Sequence, residues 1–321
     1  MIWELLSLIV CKQNAVILIL CRNSDKNGIA KTIENFEERF NKKYNYPYVF
    51  LNDKEFTNEF KTHLKKVTKN SIKFGKIDEE TWNMPKDIDK KKAKSNWNRM
   101  VSLGVPYADK ESYHNMCRFY AMSFYKHELL LDYDYYWRIE PDVKFHCDIN
   151  FDPFDYLHKN NKKYGFVISI YEFMASIETL MLWTAKFLIK HHVSFKNNLT
   201  FMFDNGKYNG CHFWSNFEIA SFDFFRSQIY NQYVDFLNNT GGFYYERWGD
   251  APIHSIAAAL FLNKDQIHFF NEIGYTHDIF THCPQNGLNC DCEINRSVDF
   301  TPYSCLPKFL NEISSLHNIQ K

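Results

Sequence analysis

Short apolar runs alternate with amphipathic stretches from the start of this chain. The run AVILIL at residues 15–20 and the run YPYVFLND at residues 46–53 predict two buried parallel strands, since strands covered on both faces are continuously apolar. Between them lie four apolar residues at helical spacing, Ile29, Ile33, Phe36 and Phe40. This strand–helix–strand unit predicts an α/β sheet whose ligands bind beyond the carboxyl ends of the strands.

The rest of the chain continues the alternation of strands and helices. Strands are predicted at residues 71–77, 163–173 and from residue 267, and helices at residues 112–130, 176–192, 221–237 and 248–262. Ser176 and Asp250 are the expected N-caps of two of these helices, and His277 is expected in a loop. Without a Gly/Ser-rich linker or an internal repeat, we predict one mixed, mostly parallel α/β domain over residues 15–321, after a residual segment 1–14.

The most distinctive stretch is LDYDYYWRIEPDVKFHCDIN, residues 131–150. It begins as an aromatic strand, and Pro141 ends that strand because proline cannot donate to a sheet ladder. Side chains two apart on extended backbone point to one side, so Glu140 and Asp142 are predicted to present two carboxylates together. Hard divalent cations prefer such oxygen ligands. The alternative interpretation is an ordinary acidic turn.

Composition and charge exclude several classes of protein. The chain has 321 residues, 45% of them hydrophobic and 18% aromatic, which is too apolar for a disordered chain. Its formal net charge is zero, so no overall field recruits nucleic acid. Dinucleotide-binding and P-loop glycine motifs do not occur. The first ten residues are too short an apolar run to span a membrane and lack a basic signal-peptide region, so we expect a soluble chain or a missing targeting segment.

Nine cysteines leave two interpretations open. Four of them cluster near the carboxyl terminus beside His282, namely Cys283, Cys290, Cys292 and Cys305. Their spacing does not match the usual zinc pairs, so disulfides or buried thiols are the preferred alternative to zinc. Together with three glycosylation sequons, at Asn198, Asn238 and Asn295, the cluster favours a secretory, oxidising compartment.

Seven sequence blocks stand together in order: CRNSD, RFNKKYNYPYVFLND, YHNMCRF, YYWRIEPDVKFHCDINFDPF, CHFWSNFEIASFDFFRSQIY, GGFYYERWGDAPIHSIA and IGYTHD. From about residue 15 to about residue 305 the chain thereby resembles the fungal α-1,2-mannosyltransferases of the Kre2/Mnt1 type, glycosyltransferase family 15. The resemblance implies a GT-A-like, Rossmann-like fold with one nucleotide-sugar site. It also implies a Golgi type II membrane protein, although no anchor is seen in this chain.

The activity that the resemblance implies is transfer of mannose from GDP-mannose to the 2-hydroxyl of a mannose-terminated glycan acceptor. It implies retention of the α configuration, a Mn²⁺ cofactor, and a role in glycoprotein or glycolipid mannosylation such as cell wall mannan synthesis. Membrane association is expected only through a missing or truncated N-terminal anchor. The alternative is a catalytically silent nucleotide-sugar or glycan-binding scaffold of the same fold.

The resemblance also implies roles for individual residues. Glu140 and His277 are expected to ligate the metal, although a lone loop histidine is otherwise a surface residue. Glu218 corresponds to the proposed nucleophile and Asp250 to a catalytic or acceptor-binding carboxylate. Each has a plain alternative as a favourable charge or cap at a helix N-terminus.

Ligand contacts are expected from a further set of side chains. Those expected at the nucleotide are Arg22, Tyr113, Arg138 and Asp142, with ion pairing and aromatic packing as alternatives. Those expected at the acceptor are Glu172, Trp214, Tyr245 and Trp248, where tryptophan and tyrosine are also common core anchors.

Overall fold

The computed structural model describes residues 12–194 and 200–317, with the side chains of residues 315–317 left out. The strands are β1 Ala15–Leu20, β2 Tyr48–Asn52, β3 Ile72–Lys76, β4 Tyr135–Arg138, β5 Lys144–Phe145, β6 Tyr164–Phe166, β7 Ser169–Tyr171, β8 Phe203–Asp204, β9 Lys207–Tyr208, β10 Cys211–Phe213, β11 Glu218–Ser221, β12 Ile267–Phe269, β13 Tyr275–His277 and β14 Phe280–His282.

The helices are α1 Lys26–Phe36, α2 Lys42–Tyr44, α3 Asn58–Val67, α4 Glu79–Trp82, α5 Lys90–Ser102, α6 Glu111–Met122, α7 Pro153–Lys159, α8 Leu180–Lys190, α9 Phe222–Arg226, α10 Gln228–Asn238, α11 Gly242–Tyr245, α12 Asp250–Phe261 and α13 Leu306–His317. A π-helical turn, Glu37–Asn41, joins α1 to α2. No helix within 12–194 and 200–317 is both long and apolar enough to cross a bilayer.

The central sheet has seven strands in the order β12-β6-β11-β4-β1-β2-β3. Neighbouring strands are parallel except at β11, which runs antiparallel to both β4 and β6. The predicted mixed, mostly parallel sheet is therefore confirmed. Because β11 runs backwards, its first residue, Glu218, pairs with Arg138 at the carboxyl end of β4.

Two apolar cores cover the two faces of the sheet. Side chains alternate along β1, so that Ile17 and Ile19 join the core that includes α1 and α3, while Val16 and Leu18 join the core that includes α6 and α12. All twelve residues of α12 are buried. This helix therefore crosses the interior, and any charged side chain on it needs a partner there.

Several predicted boundaries shift for identifiable reasons. The predicted strand 163–173 is two strands, β6 and β7, that belong to different sheets. The predicted helix 221–237 is divided at Ser227, whose hydroxyl caps α10 by accepting from the Tyr230 amide. The predicted helix 112–130 ends at Met122 and continues as two 3₁₀ turns. Ser176 does not cap a helix, because its hydroxyl donates to the Phe173 carbonyl and α8 begins at Leu180.

Three disulfides confirm the preferred interpretation of the cysteines. They join Cys147 to Cys290, Cys211 to Cys305, and Cys283 to Cys292. His282 pairs with Asp299, and the residues described contain no group of three or more His, Cys, Asp or Glu side chains suited to a metal. Two of the disulfides, Cys147–Cys290 and Cys283–Cys292, anchor the segment that follows β14.

The sequons differ in their surroundings. Asn295 is exposed, whereas Asn238 is half-buried and accepts a hydrogen bond from Nε of Arg118 at 2.8 Å. Asn198 lies outside the described residues.

Removing the long-range disulfide should destabilise the protein more than removing the short one. The loops that they close span 143 and 9 residues, and loop-closure entropy predicts losses in unfolding free energy of about 5 and about 2.5 kcal/mol. The measurement is urea unfolding of the double variants Cys147→Ser/Cys290→Ser and Cys283→Ser/Cys292→Ser. An equal or larger loss in the second variant would contradict this account.

Candidate functional site

Arg138, at the end of β4, is the buried cation at the centre of the site. Its side chain is 3% exposed; Nε and Nη2 donate to Glu140, and Nη1 donates to Asp250 at 2.5 Å and to Ser215 at 3.3 Å. Its guanidinium carbon stacks 3.4 Å from the ring centroid of Tyr120. Burial opposes the charge, but the nearby carboxylates outweigh it and raise the pKa of Arg138 well above its ordinary value. The structure therefore shows the ion-pair alternative for Arg138, with its nitrogens directed at protein carboxylates.

Asp250 is the first residue of the buried helix α12, and Gly249 occupies the N-cap position that was predicted for Asp250. Its carboxylate accepts from Arg138 and from the Ser215 hydroxyl at 2.7 Å. Burial disfavours its ionised form, but Arg138 and His254 outweigh that effect and hold the pKa of Asp250 below its usual value. The helix N-terminus favours the same charge.

Glu140 and His277, the two predicted metal ligands, lie side by side. Oε2 of Glu140 is 3.8 Å from Nε2 of His277, and the side chains are 19% and 27% exposed. His277 ends β13 instead of standing in a loop, and the side-chain amide of Asn216 lies 3.3 Å from its Nδ1. Two atoms that share one cation at about 2.1 Å each lie within about 4.2 Å of each other. The pair therefore fits a divalent cation that takes its other ligands from a bound substrate.

Asp142 does not stand beside Glu140 as the sequence predicted. β4 ends at Arg138, and the backbone of Asp142 has a left-handed φ of 63°. Its carboxylate lies against Gly28 in the first turn of α1, where a β-carbon would come within 2.5 Å of Oδ1. The expected two-residue alternation applies only to extended backbone, which this turn leaves.

A cavity of about 400 Å³ opens beyond the carboxyl ends of β1 and β2, where a ligand of a parallel sheet is expected. Two predicted nucleotide residues, Arg22 and Tyr113, line it, together with Asn52, Asp53 and Pro141. Pro141 belongs to the turn that carries Glu140. The cavity therefore adjoins Glu140 and His277, which we call the metal pair. Other lining residues include Tyr107, whose ring stacks on Tyr113 at 5.0 Å, and Lys110.

Glu218 is a fully buried carboxylate on β11. It accepts hydrogen bonds from the hydroxyls of Tyr136 and Tyr164, the latter at 2.5 Å, and lies 2.8 Å from Nδ1 of His254. Nε2 of His254 faces the carbonyl of Tyr120 at 3.0 Å. Burial lowers the pKa of His254, but Glu218 outweighs it and the net shift is upward. A nucleophile must reach the donor sugar, and no part of the Glu218 side chain is exposed here.

Arg247 connects Tyr113, which the sequence predicts at the nucleotide, to Glu172, which it predicts at the acceptor. Nη2 donates to Glu172 at 2.9 Å and to Ser176 at 3.1 Å, and Nη1 donates to the Tyr113 hydroxyl at 3.3 Å. Nε is buried with no hydrogen-bond partner among the described residues. Arg247 and His254 were not among the residues predicted from the sequence. The available signals were the i, i+4 spacing of Asp250 and His254 and the position of Arg247 just before α12.

The three aromatic residues predicted at the acceptor are placed differently. The Trp214 ring meets the His277 ring edge-on at 5.0 Å and is partly exposed. Trp248 is fully buried and donates through Nε1 to Glu246 at 2.7 Å. Tyr245 holds α5, accepting from the Asp89 amide at 3.0 Å. Trp248 and Tyr245 are structural anchors in this arrangement, and only Trp214 lies beside the metal pair.

Comparison with known proteins gives a consistent family. Residues 6–314 match the family model described as glycolipid 2-alpha-mannosyltransferase. The chain is 47% identical over 303 residues to the O-glycoside alpha-1,2-mannosyltransferase omh1 of Schizosaccharomyces pombe, covering 92% of this chain and 78% of the relative. It is 46% identical over 309 residues to the alpha-1,2 mannosyltransferase KTR1 of Saccharomyces cerevisiae, covering 94% and 79%.

Solved structures agree with the sequence comparison. The mannosyltransferase Ktr4p of S. cerevisiae in complex with GDP matches with a TM-score of 0.90 at 41% identity, covering 94% of this chain and 82% of that one. Core-mannan synthase A of Aspergillus fumigatus in its Mn/GDP form matches with a TM-score of 0.89 at 36% identity, covering 94% and 85%.

The buried pair of Glu218 and His254 should give the protein a characteristic pH dependence. The pKa of His254 is higher in the folded state than in the unfolded state. The stability that His254 contributes is therefore complete below about pH 6.5, its ordinary pKa, and is lost as the pH rises through the folded-state pKa. His254→Gln should lower the unfolding free energy by about 3–5 kcal/mol at pH 5.5, and the gap to the wild type should narrow as the pH rises.

His268 is the matched control, because burial lowers its pKa to about 4. Its contribution has the opposite sign: the folded state loses stability as the pH falls from about 6.5 towards the lowered value. The unfolding free energy of His268→Gln should therefore rise relative to that of the wild type as the pH falls. Denaturant unfolding of both variants across pH 5–9 provides the measurement, and parallel curves for wild type and His254→Gln would contradict the ion pair.

Proposed function

The chain belongs to the glycolipid 2-alpha-mannosyltransferase family and is a glycosyltransferase, and from this premise we propose that it is a retaining α-1,2-mannosyltransferase that uses GDP-mannose and Mn²⁺. The observation that carries the proposal is the pairing of Glu140 with His277 at the edge of the cavity that Arg22 and Tyr113 line. The acceptor is the 2-hydroxyl of a mannose residue that ends a glycan.

The donor is proposed to lie in the cavity beyond β1 and β2. Arg22 and Lys110 supply positive charge for the diphosphate, and the Tyr113 hydroxyl supplies a donor. Asn52 and Asp53, at the end of β2, offer polar groups to the ribose or the base. Two similar solved structures are complexes with GDP, one of them in a Mn/GDP form, and this supports the same choice of nucleotide here.

Glu140 and His277 are the residues that would hold the metal. A carboxylate oxygen and an imidazole nitrogen are both acceptable to Mn²⁺, and oxygens of the diphosphate would supply further ligands. When bound, the cation stabilises the negative charge that develops on the departing diphosphate. Arg138 contributes indirectly, since its hydrogen bonds to Oε1 of Glu140 leave Oε2 facing His277.

The anomeric configuration of mannose is retained when an α-linked donor gives an α-linked product. Two mechanistic routes can produce this outcome. A double displacement needs a carboxylate on the face of the sugar opposite the leaving group. Glu218 is buried and engaged by three donors, which favours the second route, a displacement on the front face. In that route the acceptor oxygen bonds to the anomeric carbon as the bond to phosphate breaks, and the hydroxyl proton passes to the departing diphosphate.

Glu172 and Trp214 are proposed to hold the reacting acceptor mannose. Glu172 stands at the end of β7 with a carboxylate that Arg247 orients, and it can accept hydrogen bonds from sugar hydroxyls. Asp250 shapes the same region through Arg138. We further propose a secretory, Golgi location, supported by the three disulfides, which persist in oxidising compartments. The second candidate function is a catalytically silent sugar-binding scaffold. Binding of GDP without any transfer of mannose would support it.

Replacing the metal carboxylate should abolish most of the activity. Glu140→Gln keeps the shape of the side chain but removes the charge at the proposed cation, so kcat for transfer from GDP-mannose to α-methyl mannoside should fall about 10²- to 10³-fold. EDTA should stop the wild-type enzyme, and Mn²⁺ should restore it. Glu128→Gln, at an exposed glutamate ahead of β4, is the matched control and should stay within about twofold. Full turnover of Glu140→Gln, or of the wild type in EDTA, would refute the proposal.

Azide distinguishes the two routes to retention. If Glu218 were the nucleophile, Glu218→Ala in the presence of azide would release mannosyl azide of the β configuration, because azide would take the place of the missing carboxylate. We expect no such product, and we expect the residual transfer of Glu218→Gln to give α-linked product. Mass spectrometry and NMR of the products provide the measurement, and β-mannosyl azide would establish double displacement.

A further inference from the structure

A line of aromatic rings runs outward from the metal pair to the surface. The Trp214 ring contacts the His277 ring at 5.0 Å and the Phe280 ring at 5.6 Å, and the Phe280 ring contacts the Tyr303 ring at 5.8 Å. We call Trp214, Phe280 and Tyr303 the aromatic ladder. Its inner end touches a proposed metal ligand, while the Tyr303 side of the ladder lies at the surface, with Tyr303 66% exposed.

The β13–β14 hairpin aligns the inner part of the ladder. His277 pairs directly with Phe280 across a turn of two residues, and Asp278 in that turn has a φ of 51°. Directly paired side chains lie on one face of a hairpin, so His277 and Phe280 both face Trp214. The strand pairing therefore fixes the position of the Phe280 ring relative to His277.

The outer part of the ladder is held rigidly although its ring is exposed. The carbonyl of Tyr303 accepts from the Tyr171 amide at 3.1 Å, and the next residue, Ser304, forms a β-bridge with Ile170. The disulfide between Cys211 and Cys305 ties this segment to β10, the strand that leads to Trp214. The backbone that carries this exposed ring is therefore fixed, which reduces the ordering that a ligand would have to impose on it.

The chemistry of the ladder identifies the occupant. Its three side chains are uncharged, and aromatic faces suit the apolar C–H faces of a sugar ring. The centroids of its three successive rings lie 5.6 and 5.8 Å apart, so the ladder is longer than one monosaccharide. The occupant must also be continuous with the mannose that reacts beside His277, which selects the rest of the acceptor glycan over an unrelated apolar partner.

We propose that the ladder is an extended acceptor subsite, in which Phe280 and Tyr303 bind the second and third mannose residues of a linear mannoside whose terminal residue reacts near Trp214. This inference rests on the proposed function and deepens it, because it assigns two residues outside the metal pair to the recognition of a longer acceptor. Phe280 and Tyr303 act only on acceptors that are long enough to reach them.

The test compares acceptors of different length. Tyr303→Ala should lower kcat/KM for a linear α-linked mannotriose between about two- and tenfold, mainly through KM. The same variant should leave kcat/KM for α-methyl mannoside within about twofold of the wild type. Tyr303→Phe keeps the ring and should restore the value for mannotriose. Phe300→Ala is the matched control, since Phe300 is 69% exposed on the same segment and outside the ladder.

Each outcome separates the two proposals. If Tyr303→Ala changes kcat/KM equally for both acceptors, or leaves kcat/KM for mannotriose unchanged, the subsite proposal is overturned. The proposed transfer activity would not be affected by that result. A wild-type protein that transfers to neither acceptor would overturn the proposed function, and the subsite with it. Altered sedimentation of Tyr303→Ala with unchanged acceptor selectivity would assign the rings to self-association instead. A loss confined to the longer acceptor, with Phe300→Ala unaffected, supports the subsite.

Discussion

The salt bridges of Arg138 are the interaction on which the site depends. A guanidinium that is 3% exposed has lost its water, and it is stable there only because Glu140 and Asp250 both bind it. Those two carboxylates come from different elements, the turn after β4 and the first residue of α12. One buried cation therefore sets the position of the central helix against the central strand, and it orients Glu140 towards His277.

The topology of the sheet explains why so many charges meet at this place. β11 is inserted antiparallel between β4 and β6, so its first residue lies beside the last residue of β4. That register brings Glu218 under Arg138 and within reach of His254, one turn along α12 from Asp250. A second buried ion pair thus lies behind the first. Together they tie the N-terminal half of α12 to both strands without exposing either acidic group.

The parts of this arrangement that the sequence predicts are local ones. β1 and β2 follow from apolar runs, and Arg22 lines the cavity because it stands two residues beyond the end of β1. The predicted pairing of Asp142 with Glu140, the predicted N-cap at Ser176 and the unbroken helix at 221–237 were wrong, because a turn, a 3₁₀ segment and a capping serine overrode the local pattern. The pairing of Glu140 with His277 spans 137 positions, so no spacing rule finds it and only the family resemblance pointed to it. Arg138 and Trp248 could not be assigned from residue type, since burial alone decides whether such side chains meet ligand or protein.

The charge distribution gives a physical reason for a metal at this site. The nitrogens of Arg138 are directed at Glu140 and Asp250, and Arg247 binds Glu172, so both of these buried arginines already pair with protein carboxylates. A diphosphate that approaches the Glu140 turn therefore meets acidic groups whose arginine partners cannot also neutralise it. Arg22 and Lys110 line the adjoining cavity. A divalent cation between Glu140 and His277 would convert that repulsion into attraction, while the uncharged aromatic ladder on the other side of His277 suits a neutral sugar. One histidine would then mark the boundary between an anionic donor and a neutral acceptor.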